Sequence, residues 1–232
     1  MPLFSSSVSI NTQHETSWDT YLDSGNASTN YQGASSAQVN KSVTRGGTSL
    51  KRALFAFDLS DLSGRNIVSA TLTIKTTSGF GVGSGTEECS IHLIDTSSSD
   101  PVYDEVTWNN RKSGTAWSVA GGDTAVQAGT FKIDWPKTTN AVATSDDITN
   151  LIKTKAGGMC FILIKTAETD PTLLKAAIAH DEDSGSTVAD LPVLTINSTI
   201  DHRKVYNRHE MLKFMNKSRG LVGKATIPSL TK

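Results

Sequence analysis

Cysteine, charge and aromatic residues are all scarce in this chain of 232 residues. It contains two cysteines, 19% charged residues and 6% aromatic residues, whereas about a quarter of a typical soluble domain is charged. Two cysteines without a CxxC or HxxxH spacing cannot build a structural zinc site. No apolar run is long enough to cross a membrane, so we expect no membrane partner. The opening "MPLFSSSVSI" lacks a basic region and an apolar core, so we expect no secretory leader.

Catalytic motifs are missing as well. The chain contains no GxSxG, HExxH, P-loop or strand-following GxGxxG pattern, so we expect neither enzymatic activity nor a cofactor. Cys89 and Cys160 lie in apolar runs and are predicted to be buried free thiols, with a disulfide between them as the alternative. The acidic run "HDEDSGS" at 180–186 is interpreted as a solvated loop, with calcium binding as the alternative. We expect no metal site.

Strand signals recur along the chain between clusters of Gly, Ser, Asn and Asp. They predict an all-β fold, an antiparallel two-sheet β-sandwich of jelly-roll type with one short internal helix and a C-terminal helical arm. The predicted strands are 18–22, 36–43, 52–60, 68–76, 89–95, 105–110, 129–134, 159–167, 174–181 and 192–197.

The stretch "RALFAFDLSDLSGRNIVSATLTIKT" at 52–76 carries the strongest sheet signal. Its first strand is apolar on both faces, which predicts a central position, and its second alternates apolar residues with Thr and Lys, which predicts one buried and one solvated face. Further on, "TSDDITNLIKTKAGG" predicts a helix with Ser145 as N-cap and a buried stripe of Ile148, Leu151 and Ile152. We expect this stripe to close an open end of the sandwich.

Several short motifs occur in a recognisable order: "DTYL" at 19–22, "RALFAFDLS" followed by "IVSATLTI", then "EVTWNN", "GGD" at 121–123, "DITNLI" before a Gly pair, and "MCFILI". This order resembles the DNRLRE family of β-sandwich domains, which is similar to a carbohydrate-binding module family and also occurs in phage structural proteins. The resemblance covers residues 18–197 and implies that Trp108 belongs to the core. It divides the chain into an N-terminal segment (1–17), a DNRLRE-like sandwich (18–197) and a C-terminal arm (198–232).

The C-terminal arm differs from the rest of the chain in charge. Residues 199–232 carry a net charge of +6, and the remaining residues −7. The arm is predicted to form a basic amphipathic helix followed by a short extended piece, and a helix of this length is marginal alone in water. We expect it to dock on another subunit, with packing on its own sandwich as the alternative. The docking residues are predicted to be Val205, Tyr206, Met211, Leu212, Phe214, Met215 and Leu221.

These observations predict a non-enzymatic structural or assembly protein, a bacteriophage virion component of the tail, neck or capsid surface. Its predicted partners are other virion proteins and copies of itself, and the arm's interrupted charges argue against a nucleic-acid partner. The alternative is an extracellular carbohydrate-binding module or a receptor-binding protein that recognises a polysaccharide. For that alternative, Trp135 and Trp117 are the predicted sugar-stacking residues, since aromatic faces suit the C–H faces of pyranose rings.

Overall fold

The computed structural model describes residues 4–12, 16–44, 47–76, 86–124, 131–136, 141–166, 168, 175–179 and 188–200. Within these ranges the chain forms thirteen strands and one short α-helix, α1 (Thr149–Lys153). The strands are β1 (Phe4–Asn11), β2 (Trp18–Asp23), β3 (Ser36–Thr44), β4 (Gly47–Asp58), β5 (Asn66–Lys75), β6 (Thr86–Leu93), β7 (Asn110–Lys112), β8 (Thr115–Ala116), β9 (Phe131–Pro136), β10 (Val142–Thr144), β11 (Met159–Thr166), β12 (Lys175–Ala179) and β13 (Val193–Ile200). None of the helices in this part of the chain has the length and apolarity to span a membrane.

The strands form two large antiparallel sheets. The small sheet has the order β1-β13-β5-β10, and the large sheet has the order β12-β3-β4-β11-β6-β9, with β2 also paired to β4. β7 and β8 form a separate hairpin. The predicted all-β, antiparallel sandwich is therefore confirmed, whereas the C-terminal helical arm lies outside the described residues.

The main core fills the space between the two sheets. Residues from β1, β5, β10 and β13 on one side meet residues from β4, β6, β11 and β12 on the other in one buried cluster. β4 has the central position predicted for it, since Ala53, Phe55 and Phe57 face this core while Leu54 and Ala56 enter a second buried cluster on the opposite face. The large sheet is thus buried on both sides, which explains the unbroken apolar run of β4.

Two further predictions are confirmed inside this core. Cys89 and Cys160 are buried free thiols, and burial raises the pKa of each to about 12. The stripe Ile148, Leu151 and Ile152 is buried against the main core, where α1 packs on β5.

The predicted start of the helix is wrong. Ser145 does not cap it, because its hydroxyl accepts a hydrogen bond from the Leu72 N–H (3.0 Å) and ties the segment to β5. The Asp147 carboxylate instead accepts a hydrogen bond from the Thr149 N–H (2.9 Å), and the helix begins only at Thr149. Leu72 lies 73 residues before Ser145 in the chain, so local pattern cannot distinguish this serine from a cap.

The strand predicted at 105–110 is also wrong, because most of this segment is irregular and only its last residue, Asn110, belongs to a strand, β7. The Thr107 hydroxyl accepts a hydrogen bond from the Asn110 N–H (3.0 Å), a local bond that competes with strand pairing. Trp108 is buried as the family resemblance implied.

β1 is a strand that the sequence analysis did not predict. It pairs with β13 over eight residues, from Phe4 opposite Ile200 to Asn11 opposite Val193. The small sheet therefore includes residues that precede the predicted sandwich start at residue 18.

Candidate functional site

The outer face of the large sheet is crossed by a long connection, residues 94–124, which we name the cover segment. Its apolar side chains pack on the sheet and form the second buried cluster. The members of this cluster are Leu22, Leu54, Ala56, Ile94, Val106, Trp108, Trp117, Phe161 and Leu163. A connection without long strands of its own needs other bonds to hold it, and two arginines supply them.

Arg52 of β4 attaches the C-terminal end of the cover segment to the sheet. Its Nη1 donates to the Gly121 carbonyl (2.7 Å), and its Nε and Nη2 donate to the two carboxylate oxygens of Glu168 (2.7 and 2.9 Å). Its guanidinium lies 4.7 Å from the centre of the Trp108 ring. The charge is therefore paired bidentately and also stacked, the arrangement in which a buried arginine is best satisfied.

Gly121 and Gly122 are required by this attachment. Both have left-handed backbone conformations, with φ of +86° and +104°. A Cβ on Gly121 would lie 2.6 Å from Arg52 Nη1 and 2.7 Å from the Trp108 ring, which is closer than real atoms approach. The pair of glycines in the "GGD" motif thus has both a conformational and a packing cause.

Arg111 holds the other side of the cover segment. It is 2% exposed, and its Nη1 donates to the carbonyls of Asp95 (3.0 Å) and Ser99 (2.6 Å). Its Nη2 donates to the Asp123 carboxylate, and its guanidinium lies 4.8 Å from the centre of the Trp117 ring.

Asp123 completes this network. Its carboxylate also accepts hydrogen bonds from the backbone N–H groups of Ser118 (2.8 Å) and Val119 (2.5 Å). Burial alone would raise the pKa of Asp123, but these hydrogen bonds and the Arg111 charge outweigh it and hold the pKa below its usual value. Asp123 is therefore ionised, and its carboxylate fixes the turn at 118–123.

A cleft of about 310 Å³ opens where this turn meets the edge of the cover segment and β11. It is lined by Arg52, Asp95, Ser118, Val119, Gly122, Asp123, Thr124 and Lys165. Val119 is 66% exposed and supplies an apolar side chain at the cleft. Most of the other lining residues offer hydroxyl, carboxylate or amino groups, so the cleft combines a small apolar contact with several polar ones.

Lys165 supplies a cationic donor to the cleft. Within the part of the chain that the structure describes, its amino group makes no hydrogen bond. Burial lowers the pKa of Lys165, as does the nearby Arg52 charge, while Glu168 acts in the opposite direction. A half-buried amine at a cleft can donate hydrogen bonds to a ligand oxygen.

His92 lies near Lys165 on the neighbouring strand. Burial, followed by the charges of Lys165 and Arg52, lowers the pKa of His92 to about 4. Its Nε2 lies 2.8 Å from the Ser90 hydroxyl. His92 is thus a neutral sheet residue at physiological pH, as its position within a strand suggests.

The predicted sugar-stacking residues fall in different places. Trp117 is only 5% exposed, with its ring against Arg111 and its Nε1 donating to the Thr107 carbonyl (2.9 Å). The Trp117 ring therefore presents little surface to solvent, and its stacking role stays a prediction. The backbone of Trp135 pairs with Glu87 in β9, and its side chain lies outside what the structure describes.

The other predicted sites are not covered by the described ranges. The seven docking residues of the arm, from Val205 to Leu221, and the acidic run 180–186 all lie outside them. Among the described residues, no group of three or more His, Cys, Asp or Glu side chains is placed to hold a metal.

Sequence reasoning missed the cleft itself. The available signal was a charged residue inside or at the end of an apolar strand: Arg52 opens "RALFAF" and Lys165 follows "MCFILI". Burying a charged side chain costs free energy unless the charge is paired, hydrogen-bonded or in contact with a ligand.

The chain matches the sequence model of carbohydrate-binding module family 96 over residues 10–174. No curated protein matches the chain. The family match covers most of the chain, including β2 to β11 and the whole cover segment, so the protein belongs to carbohydrate-binding module family 96. The predicted resemblance to a family of carbohydrate-binding β-sandwiches is therefore confirmed.

Proposed function

We propose that this module binds a glycan in the cleft between the 118–124 turn and Lys165. The observation that carries the proposal is the combination of the Lys165 amine, the Asp95 carboxylate, and the Ser118 and Thr124 hydroxyls around exposed Val119. A sugar presents hydroxyl groups that donate and accept hydrogen bonds beside apolar C–H surfaces. A cleft with both kinds of group complements that pattern.

The rigidity of the cleft also supports binding. The turn at 118–123 is held by Asp123 and Arg111, and its end by Arg52. A ligand that enters therefore orders few additional groups, which is the main way in which a small polar site gains affinity.

We infer that the module is non-catalytic, as its family is. The pKa of Asp123 is lowered, and the pKa of Asp95 is lowered by hydrogen bonds from Ser97. Both carboxylates of the cleft are thus anions near neutral pH, whereas a glycosidase acid needs a raised pKa. The finer expectation is an extracellular or surface-attached module.

The virion role predicted from the sequence receives no support from the comparisons. The arm on which that prediction depends, with its docking residues from Val205 to Leu221, lies outside the described residues. We keep docking by the arm as a proposal, supported by the opposite net charges of arm and body. Sedimentation of the full chain and of a chain ending at residue 200 tests it, because the proposal predicts self-association of the full chain alone.

A glycan array that contains neutral and acidic oligosaccharides tests the cleft. We expect wild type to bind, and Lys165→Ala to weaken binding of the best ligand roughly tenfold, because a hydrogen bond to a charged group is lost. Lys153→Ala, on the exposed surface of α1, is the matched control and should bind as wild type does. Equal affinity of wild type and Lys165→Ala for every glycan would refute the cleft.

A further inference from the structure

β1 forms one edge of the small sheet. Within the described ranges it pairs with β13 alone, over eight residues in unbroken register. In an antiparallel pair only part of each strand's backbone N–H and C=O groups points to the partner, so the remaining groups of residues 5–10 point outward along this edge. An edge of this kind can accept a further strand.

β1 lacks the features that ordinarily protect a sheet edge. Its sequence "FSSSVSIN" contains no charged residue and no proline, and its ladder with β13 runs without a bulge. The other edge strands in the described part of the chain are protected by shortness, by charge or by proline. β10 has three residues, and the protecting residues elsewhere are Asp19 and Asp23 in β2, Lys132, Asp134 and Pro136 in β9, and Lys175 in β12. β1 is therefore the edge that opposes strand addition least.

The two faces of β1 call for a partner strand that is polar on one side and apolar on the other. Ser5, Ser7 and Ser9 are exposed on the outer face. On the inner face, Ile10 is buried in the main core, and half-buried Val8 packs against that core. A strand added at this edge would place polar side chains beside the serines and apolar side chains beside Val8.

The segment 221–227 of the C-terminal arm, which reads "LVGKATI", has such an alternation. In an extended strand, one face would carry Leu221, Ala225 and Ile227, and the other would carry Val222, Lys224 and Thr226. Its length of seven residues is close to the eight residues of β1. Pro228 follows directly and would end the strand, because proline has no N–H for a ladder.

The place where the chain leaves β13 favours a second copy as the acceptor. Ile200 lies opposite Phe4, so the arm starts one strand away from the β1 edge of its own copy. The sequence predicts a helix between this point and the segment, and the 20 residues 201–220 would span about 30 Å as a helix. A rigid spacer of that length carries the segment away from its own edge and within reach of another copy.

We propose that residues 221–227 of one copy add as a strand to the free edge of β1 in a second copy. The four-stranded small sheet then gains a fifth strand, whose apolar face covers Val8. Backbone hydrogen bonds supply the affinity in strand addition, and the alternating side chains supply the specificity. The proposal rests on the docking of the arm on another copy, for which it names the acceptor, and it is independent of the glycan cleft on the large sheet.

Disulfide trapping between two full-length variants tests this pairing. Ser7→Cys places a thiol on the outer face of β1, and Lys224→Cys places one on the polar face of the segment. Val222→Cys and Thr226→Cys cover the registers two residues to either side. We expect mild oxidation of a mixture of Ser7→Cys with one of these arm variants to link the two chains, and mass spectrometry to identify the linked peptides.

Val142→Cys is the matched control for Ser7→Cys. Val142 is 56% exposed and lies on β10, at the opposite edge of the same sheet. Mixed with the same arm variants, it should give at least about tenfold less linked product, because a disulfide forms only between Cα atoms a few ångströms apart. The native Cys89 and Cys160 are buried free thiols and do not compete.

Ala225→Pro tests the backbone pairing of the segment itself. Proline removes a ladder donor from the middle of the segment and leaves the charge of the arm unchanged, so the dissociation constant for self-association should rise roughly tenfold. Ser229→Pro, beyond the segment, should associate as wild type does. Both substitutions lie in the arm, so the circular dichroism of the sandwich should not change. Analytical ultracentrifugation of the full chains gives the constants.

The outcomes separate the acceptor from the docking itself. Linkage at Ser7→Cys well above that at Val142→Cys, with weaker association of Ala225→Pro, supports the proposal. Equal linkage at both positions in a chain that self-associates, or unchanged association of Ala225→Pro, overturns the β1 edge and leaves docking of the arm intact. A wild type that stays monomeric overturns both. Linkage inside a monomeric Ser7→Cys/Lys224→Cys chain, without linked chains from the mixture, shows that the arm covers its own edge and overturns the second copy.

Discussion

Two arginines determine where the cleft lies. Arg52 and Arg111 each place a guanidinium over a tryptophan ring and donate to backbone carbonyls of the cover segment. Each also pairs with a carboxylate, Glu168 or Asp123. A buried arginine with all of these partners orients an irregular segment more strictly than apolar contact alone, because its donors have fixed directions.

Gly121→Ala should destabilise the fold more than a positive φ alone would. The new Cβ meets Arg52 and Trp108 at less than 3 Å, and we expect a loss of roughly 2 to 4 kcal/mol in the free energy of unfolding, from overpacking added to backbone strain. Gly114→Ala is the matched control, since Gly114 has φ of +71° and nothing within 4 Å of its Cβ position. Urea unfolding of both variants measures the difference. Equal losses would contradict the close approach.

Asp123→Asn should cost about 3 kcal/mol at pH 7, because Arg111 is then buried without its counter-charge. The pKa of Asp123 is lowered from 3.8, so its stabilising contribution is complete above about pH 4 and is lost as the pH falls through the folded-state pKa. The difference between wild type and Asp123→Asn should therefore shrink in acid. Urea unfolding at pH 7 and in acid measures it, with Asp146→Asn on an exposed surface as the control. A pH-independent difference would argue against an ionised Asp123.

At the scale of elements, strands with a clear pattern were predictable and those fixed by distant contacts were not. β4 and β5 were recognisable because their alternation matches their burial. β1 reads "FSSSVSIN" and contributes Ile10 to the main core, with Val8 packed against it. Its pairing with β13 joins the two ends of the sandwich. Serine-rich local sequence gave no sign of a partner more than 180 residues away.

The candidate site also contains features that local sequence predicts and features that depend on distant contacts. The importance of "GGD" and of the Arg at the start of "RALFAF" was visible as a family motif, but its physical cause, the approach of Gly121 to Trp108, depends on a tertiary contact. Trp117 was one of the predicted sugar-stacking residues, and it lies in a stretch rich in Ser and Gly. Arg111 and the Thr107 carbonyl bury it instead.

Ile10→Ala tests whether β1 belongs to the body of the sandwich. Ile10 is 1% exposed in the main core, so we expect a loss of about 2 to 4 kcal/mol in the free energy of unfolding. Ser9→Ala, exposed on the neighbouring position of the same strand, should change it by less than about 0.5 kcal/mol. Thermal or urea unfolding followed by circular dichroism gives both values. A neutral Ile10→Ala would mean that β1 adds nothing to the core.

At the scale of the whole molecule, the sandwich has two buried clusters and an asymmetric exterior. The main core lies between the sheets, and the second lies between the large sheet and the cover segment. The glycan-binding cleft that we propose lies on the covered face of the large sheet, where the two ends of the cover segment meet. The small sheet alternates regularly between buried residues on its inner face and half-exposed residues, such as Thr and Lys of β5, on its outer face. Within the described ranges, this outer face is not covered by an irregular segment like the cover segment.

The central claim is that the cleft beside Lys165 is where a glycan binds. Amide chemical-shift mapping of the isotope-labelled chain, titrated with the best glycan from the array, tests it most directly. The account predicts shifts concentrated at 118–124 and at Lys165, with smaller or no shifts at Val68 and Val142 on the small sheet. Shifts confined to the small sheet, or spread without reaching 118–124 and Lys165, would contradict it.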